Sequence, residues 1–281
     1  MKSIFFKFVI FGSIGAAIAL SSLPLIQSTT YAQTRPVQVA QRTPKVVYIR
    51  REVSGPAPSG RYRGGGSRNL AGAVCPETPL PLTAIVPFEE VYEPGRENRP
   101  PIVNVWGYTT SERPTFWVYV PYSDPKIPAR LTIDDVEAGT TIYEQPVTLP
   151  TQPGILSLQV PKTAPGLQPG KRYSWFFTLE CKASTAAATN SINVQATVIR
   201  DRLPATTGQL TATPSVENTK IYAQNGFWYD ALTELATLRQ QKPQDPELTQ
   251  SWQELLSGIA TTDKAKQNFK LDQISSQPLV K

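Results

Sequence analysis

The chain contains no histidine. That absence removes Ser-His-Asp and Cys-His catalysis, and with them most zinc and copper sites. A glycine-rich phosphate loop is also lacking. Gly64-Gly65-Gly66 sits in an arginine-rich stretch without the strand–loop–helix context that phosphate binding needs. No apolar run beyond the N-terminal one is long enough to span a bilayer. Net positive charge is missing from most of the length. The formal net charge is +6, but residues 33–69 hold eight basic side chains against the single acid Glu52, which leaves residues 70–281 at −3. A nucleic-acid-binding domain carries its positive charge on the fold, so nucleic acid is not an expected partner.

The N-terminus supplies what the rest lacks. Lys2 and Lys7 give it a positive start, Phe8 to Leu20 is almost wholly apolar, and Thr30-Tyr31-Ala32 offers a small-residue cleavage site. This order predicts a secretory signal over residues 1–32, cut after Ala32. The mature chain then works in the periplasm or outside the cell, away from ATP, NAD and reducing thiols. The competing reading is a retained anchor, since Ile4 to Ile26 approaches the ~20 residues of a spanning helix. Ser21, Ser22 and Pro24 interrupt that run.

Residues 33–69 read as a disordered basic linker. Arg35-Pro36, Thr43-Pro44, Gly55-Pro56-Ala57-Pro58-Ser59-Gly60 and Gly64-Gly65-Gly66-Ser67 are turn and linker chemistry. Only Lys45 to Val53 has the pattern of a short strand. Arg35, Arg42, Lys45, Arg50, Arg51, Arg61, Arg63 and Arg68 form a candidate tether, giving weak contact with a membrane surface or an anionic polysaccharide. Deletion of the segment is expected to leave the fold intact.

From residue 70 to 203 the chain reads as strands. Ile192, Val194, Ala196 and Val198 alternate with polar residues, and Tyr173, Trp175, Phe177, Leu179 and Cys181 share one face of another strand. Thr115 to Val120, Leu131 to Val136, Thr141 to Leu149 and Ile155 to Val160 continue the pattern, with proline or glycine at nearly every junction. The expectation is an antiparallel, immunoglobulin-like β-sandwich. An even cysteine count in an exported chain predicts a Cys75–Cys181 bridge facing the core.

Residues 210–260 read as a helical hairpin. Thr213-Pro214 opens the first helix and Gly226 closes it. Trp228, Ala231, Leu232, Leu235 and Leu238 then recur at helical spacing, and Asp245-Pro246 caps a further helix carrying Leu248, Trp252, Leu255 and Leu256. Ala223, Gly226, Trp228, Ala231, Leu235 and Pro243 resemble a tetratricopeptide repeat, with another starting near Trp252. One and a half repeats make no solenoid, so docking on the β domain is expected rather than a peptide-binding groove. Residues 261–281 read as a flexible tail.

Several segments together carry a family resemblance. They are Leu82 to Pro87, Tyr108 to Ser123, Pro153-Gly154-Ile155, Gly170 to Trp175 and Gly226 to Leu232. Over about residues 75–260 the chain resembles a family of exported cyanobacterial proteins known only as a domain of unknown function. The resemblance implies export, a β domain and a short helical end. It implies no reaction.

Chemistry that remains available is acidic or aromatic. Glu89, Glu90, Glu93 and Glu97 cluster near Tyr92 and Trp106, and Asp134, Asp135 and Glu137 form a second group. Trp117, Tyr119 and Tyr122 make a sugar-stacking platform if exposed, although core packing explains Trp117 more simply. No catalytic residue, cofactor or resident metal is expected. The function expected is therefore non-catalytic: a binding or scaffolding module with an envelope polysaccharide or another envelope protein as partner. The alternative is a histidine-free glycan-active enzyme using the acidic loops. Intact-mass analysis of the protein from its native envelope should find a chain beginning at Gln33; a mass that includes Met1 overturns the cleaved signal.

Overall fold

One long strand organises the sheet. Strand β10, Thr189–Arg200, pairs along one edge with β9, Arg172–Lys182, in antiparallel register from Thr189↔Lys182 to Ile199↔Arg172. Its other edge is shared. Strand β1, Arg61–Gly66, runs antiparallel against Ile192 to Gln195, and β4, Ile102–Thr109, runs parallel to Thr197–Arg200. From β1 the sheet continues through β2 (Thr83–Ala84), β5 (Thr115–Val120) and β8 (Gly154–Gln159). It ends at β11, Leu279–Val280, which pairs parallel to β8. From β9 the sheet continues through β6 (Ala129–Asp135) to β7 (Thr140–Val147), and β3 (Phe88–Val91) flanks β4. The computed structural model describes residues 45–66, 75–95, 98–182, 189–205 and 209–281. Among them lie eleven strands in one curled, mixed sheet.

The protein is mainly β, as its alternating patterns predict, but the sandwich is not formed. A sandwich buries the inner face of one sheet against another. Here the helical end packs against the sheet instead. Helices α1 (Val216–Gln224), α2 (Trp228–Gln241), α3 (Pro246–Leu256), α4 (Asp263–Phe269) and α5 (Leu271–Ser275) follow the strands. Trp228 and Tyr229 open α2 and are almost fully buried in the same core as Phe116 of β5 and Trp175 of β9. Phe116 stacks on Trp175 at 4.7 Å and meets Tyr229 edge-on at 5.4 Å. Each buried polar tip is satisfied, as large amphipathic rings require. Trp228 Nε1 donates to the Ile85 carbonyl at 2.9 Å, and Trp175 Nε1 donates to the Tyr229 hydroxyl at 2.8 Å. That hydroxyl donates in turn to the Thr197 carbonyl at 3.3 Å.

Local signals act where they were read, with small shifts. Ser215, rather than Thr213, caps α1, its hydroxyl accepting from Asn218 N at 3.0 Å. Asp245 caps α3 with Pro246 in the first turn. Tyr173, Trp175, Phe177, Leu179 and Cys181 all face the core. Cys181 is bonded to Cys75 with 5.1 Å between Cα atoms, a normal disulfide span. None of the helices among the described residues is long and apolar enough to cross a membrane.

Residues 261–281 are not a flexible tail. Phe269, Ile274 and Val280 are buried, Trp252 Nε1 donates to the Ser275 carbonyl at 3.1 Å, and Ile155 N donates to the Pro278 carbonyl at 2.8 Å. A Cβ on Gly154 would stand 2.5 Å from Val280 Cγ1, so only glycine lets β11 close on β8. The apolar content of this segment is low, and its docking comes from a few residues spaced too widely to read as a pattern.

The linker reading is also corrected from residue 45 onward. Residues 45–60 form a strap across the helices and the sheet. Val46 is fully buried, its N–H donating to Glu254 of α3 at 2.9 Å, and Ile49 N donates to the Ala223 carbonyl at 3.0 Å. Arg50 lies over Trp106 at 4.8 Å and donates to the Phe88 and Ile259 carbonyls. Arg51 lies over Tyr108 at 4.2 Å and Phe227 at 4.9 Å, and pairs with Asp201 at 2.6 Å. Gly226, at φ +75°, faces Arg51 Cγ so closely that a Cβ would stand 2.2 Å away. Arg50 and Arg51 are therefore structural cations, not tether charges, because cation–π stacking and carbonyl acceptors hold them in place. Lys45 and Arg61 are exposed and Arg63 is half-buried. Arg35, Arg42, Arg68 and the signal with Ala32 lie outside the described residues. A chain starting at Arg61 should lose at least ~10 °C of thermal midpoint, since it forfeits the burial of Val46 and Tyr48 and the bonds of both arginines. An unchanged midpoint would show that the strap contributes nothing to the fold.

Candidate functional site

Two stretches singled out in the sequence, Tyr108 to Ser123 and Gly226 to Leu232, meet in space. After β4 the chain makes two local turns: Thr109 Oγ1 accepts from Ser111 N at 3.1 Å, and Ser111 Oγ accepts from Arg113 N at 3.1 Å. These are the hydroxyl turns that serine and threonine favour. The segment is also held from outside. Asp201 N donates to the Thr109 carbonyl at 2.9 Å, and Leu167 N donates to the Glu112 carbonyl at 2.8 Å. Asp230, in the first turn of α2, reaches across to it. Thr110 N donates to Asp230 Oδ2 at 3.0 Å and Thr110 Oγ1 donates to Oδ1 at 2.6 Å.

A cleft of about 220 Å³ opens beside this contact, lined by Arg113, Gln159, Tyr222, Asp230, Thr233 and Glu234 among others. Asp230 and Glu234 are one helical turn apart and share a face of α2. Protein surrounds the Asp230 carboxyl although part of its surface still meets water. This desolvation, outweighing the Thr110 hydrogen bonds that pull the other way, pushes its pKa up to about 6. Burial also raises the Tyr222 phenol. Glu234 Oε2 accepts from Ser215 N at 3.1 Å and Asn218 Nδ2 at 3.4 Å, so it braces the start of α1. Arg113 pairs with Glu112 and donates to the Ala164 carbonyl at 3.2 Å. The arrangement can exchange a proton near neutral pH and accept a small polar group. Its volume is below the ~300 Å³ at which ligand pockets usually begin, and both carboxylates already accept backbone N–H donors. Neither was singled out as a site residue from sequence. The i,i+4 carboxylate pair inside the amphipathic α2 pattern is the available signal, and the same spacing is common on solvated helix faces.

Three of the acids that were singled out, Glu90, Asp134 and Asp135, serve the fold. Glu90 joins β3 to two other elements: Tyr62 OH donates to Oε1 at 2.8 Å, and Asn268 Nδ2 donates to Oε2 at 3.0 Å. Tyr92 OH adds a third donor at 3.2 Å. Asp135 accepts from Glu137 N and Ala138 N at 3.0 Å and from Lys171 Nζ at 3.1 Å, closing the β6–β7 turn. Those donors, led by Ala138 N, lower its pKa. Thr141 Oγ1 donates to Asp134 at 2.7 Å. Glu97 lies outside the described residues. Among the described residues no group of three or more Cys, Asp or Glu is placed to hold a metal ion. The aromatic platform is not exposed: Trp117, Tyr119 and Tyr122 are 3%, 5% and 9% accessible. Trp117 Nε1 donates to Thr233 Oγ1 at 3.1 Å, and Tyr122 OH donates to the Pro76 carbonyl at 3.0 Å.

The family model Domain of Unknown Function (DUF928) matches residues 63–278. No curated protein and no solved structure matches the chain.

A carboxyl whose folded pKa lies above its unfolded value holds its proton more tightly in the native state. Asp230, raised from 3.8 to about 6, therefore stabilises the fold fully at low pH and loses that contribution as pH rises from about 4 to about 6. The neighbouring Glu234, Arg113 and Tyr222 stay in place in Asp230→Asn. Urea unfolding should show a fall of up to ~3 kcal/mol over this window in the parent, largely flattened in Asp230→Asn. Equal slopes in both proteins rule out the shift.

Proposed function

For a chain that belongs to the DUF928 family, we propose an exported, non-catalytic role as a binding or scaffolding module of the cell envelope. The observation that carries this reading is where the reactive side chains go. The acids Glu90, Asp134, Asp135, Asp230 and Glu234 all accept internal hydrogen bonds, and the aromatic rings of β5 are buried. Export draws support from the charged and apolar N-terminus, from the resemblance to exported cyanobacterial proteins, and from the Cys75–Cys181 bridge. Such bridges persist in oxidising compartments. The partner is an envelope polysaccharide or another envelope protein.

A second reading, the histidine-free glycan-active enzyme, gains one observation in Asp230 and Glu234 beside a cleft, with one carboxyl titrating near neutrality. It no longer rests on the acidic loops.

The two readings separate in one experiment. The purified protein is mixed with envelope fragments from its source cells and sedimented, with parallel samples pretreated to strip polysaccharide or protein. Co-sedimentation lost on one pretreatment identifies the partner class. Absence of co-sedimentation refutes the binding role, and release of new reducing sugar ends replaces it with the enzyme.

A further inference from the structure

A larger cleft lies at the other end of α2. Its volume is about 570 Å³, within the usual range for a ligand site. Arg239 stands nine residues after Asp230, roughly 14 Å along the helix axis at 1.5 Å per residue. The walls come from three places in the chain: the β7–β8 connection, the end of α2 with its turn into α3, and residues 276–281 in and around β11.

The side-chain charge of these walls is one-sided. Arg239 and Lys281 line the cleft, and no aspartate or glutamate does. The carboxylates of Glu90, Asp134, Asp135, Asp230 and Glu234 accept from internal donors. Arg239 shows the reverse condition. Its guanidinium lies over the Trp252 ring at 4.8 Å, and it forms no ion pair among the described residues. Its Nη1 is shielded from water with no hydrogen-bond partner, a condition shared by nitrogens of Arg50, Arg51 and Arg113, but each of those three groups keeps another acceptor and Arg239 has none among the described residues. Leaving a charged donor shielded and unpaired is costly, and burial accordingly lowers its pKa. The remedy for such a group is an anionic acceptor, and a planar guanidinium takes a carboxylate in two parallel hydrogen bonds. Stacking on Trp252 orients the plane in advance.

The uncharged lining narrows the class of anion. Gln152, Gln240, Gln244 and Gln277 come from all three wall segments. Each amide presents donors and an acceptor, the complement of a hydroxyl that donates and accepts. Gln277 Nε2 is already engaged with the Gln273 carbonyl at 3.0 Å, which holds that side chain in position. Pro150, Pro243 and Pro278 supply rigid apolar surface without the depth of a side-chain pocket. Many paired donors and acceptors around one cation centre fit a polyhydroxylated anion better than an acidic peptide, which brings few hydroxyls. We propose that this cleft binds an acidic oligosaccharide, with the sugar carboxylate on Arg239 and Lys281 and its hydroxyls on the glutamine amides. This names the ligand class for the envelope-binding reading and rests on it only for the source of the saccharide.

The test uses the purified protein with its disulfide intact and three defined probes: trigalacturonate, neutral maltotriose and triglutamate. Calorimetric titration at low salt should show saturable binding of trigalacturonate and none of maltotriose over the same range. Triglutamate should bind at least about tenfold more weakly than trigalacturonate. Arg239→Gln should weaken trigalacturonate about tenfold or more. Because Arg239 also packs on Trp252, the exposed variants Gln152→Ala and Lys281→Gln are measured alongside it. Each should weaken binding with an unchanged thermal midpoint. Binding of triglutamate as tight as trigalacturonate reduces the site to charge alone and overturns the proposal. Absence of trigalacturonate binding, or indifference to all three variants, overturns it equally. Envelope co-sedimentation that survives Arg239→Gln removes this cleft and leaves the envelope reading standing. Trigalacturonate binding without envelope co-sedimentation does the opposite.

Discussion

The whole structure depends on one demand: the aromatic face of a curled sheet must be covered. Phe116 and Trp175 expose large rings on that face, and an isolated sheet would leave them in water. Trp228 and Tyr229 cover them from the start of α2. Fully burying a side chain of this size is worth about 1.5–3 kcal/mol relative to exposure. The indole and phenol groups then require partners inside the core, and the Ile85 and Thr197 carbonyls supply them. Those bonds fix where α2 begins. The position of α2 in turn sets both clefts, since Asp230 and Glu234 stand near its first turn and Arg239 near its last.

A second constraint follows from the first. Helices seated on a sheet leave a seam, and the strap of residues 45–60 closes it. Its cations are the unusual element. Arg50 and Arg51 are held by aromatic faces and carbonyl oxygens as much as by Asp201. Arginine suits such a place because its flat, weakly hydrated guanidinium stacks on rings, whereas a lysine ammonium would keep its water. Arg239 on Trp252 repeats the stacking at the far end of α2, but with no hydrogen-bond acceptor among the described residues. Nitrogens of Arg50 and Arg51 are also shielded without a partner, but each of those groups keeps at least one protein acceptor.

Burial and hydrogen bonding also decide which acids are available. Glu90 and Asp135 read in the sequence as members of acidic clusters. In the fold each is a junction, because three donors converge on it from separate elements or from a tight turn. Asp230 reads as an ordinary polar position in a helix. Enclosure against Thr110 turns it into the one described carboxyl whose pKa is pushed up. Composition locates carboxylates, but only the three-dimensional neighbourhood assigns them a protonation range.

Periodicity alone determined the strands at β5 to β10, the apolar faces of β9 and β10, the amphipathic α2, the Asp245 cap and the cysteine pair, since each depends on residues close in the chain or on a simple count. Tertiary structure decided the rest. A curled sheet and a sandwich share the same alternation and the same proline-punctuated turns, so the choice lay with what covers the inner face, and that was a helical segment far along the chain. The strap and the C-terminal strand were hidden for a related reason. Val46, Tyr48, Phe269 and Val280 are too few and too scattered to announce a core, yet each finds a prepared place in one built by distant residues. The clefts were least legible, because Arg239, Gln152 and Lys281 become neighbours only when β11 closes on β8, and no local pattern records a long-range pairing.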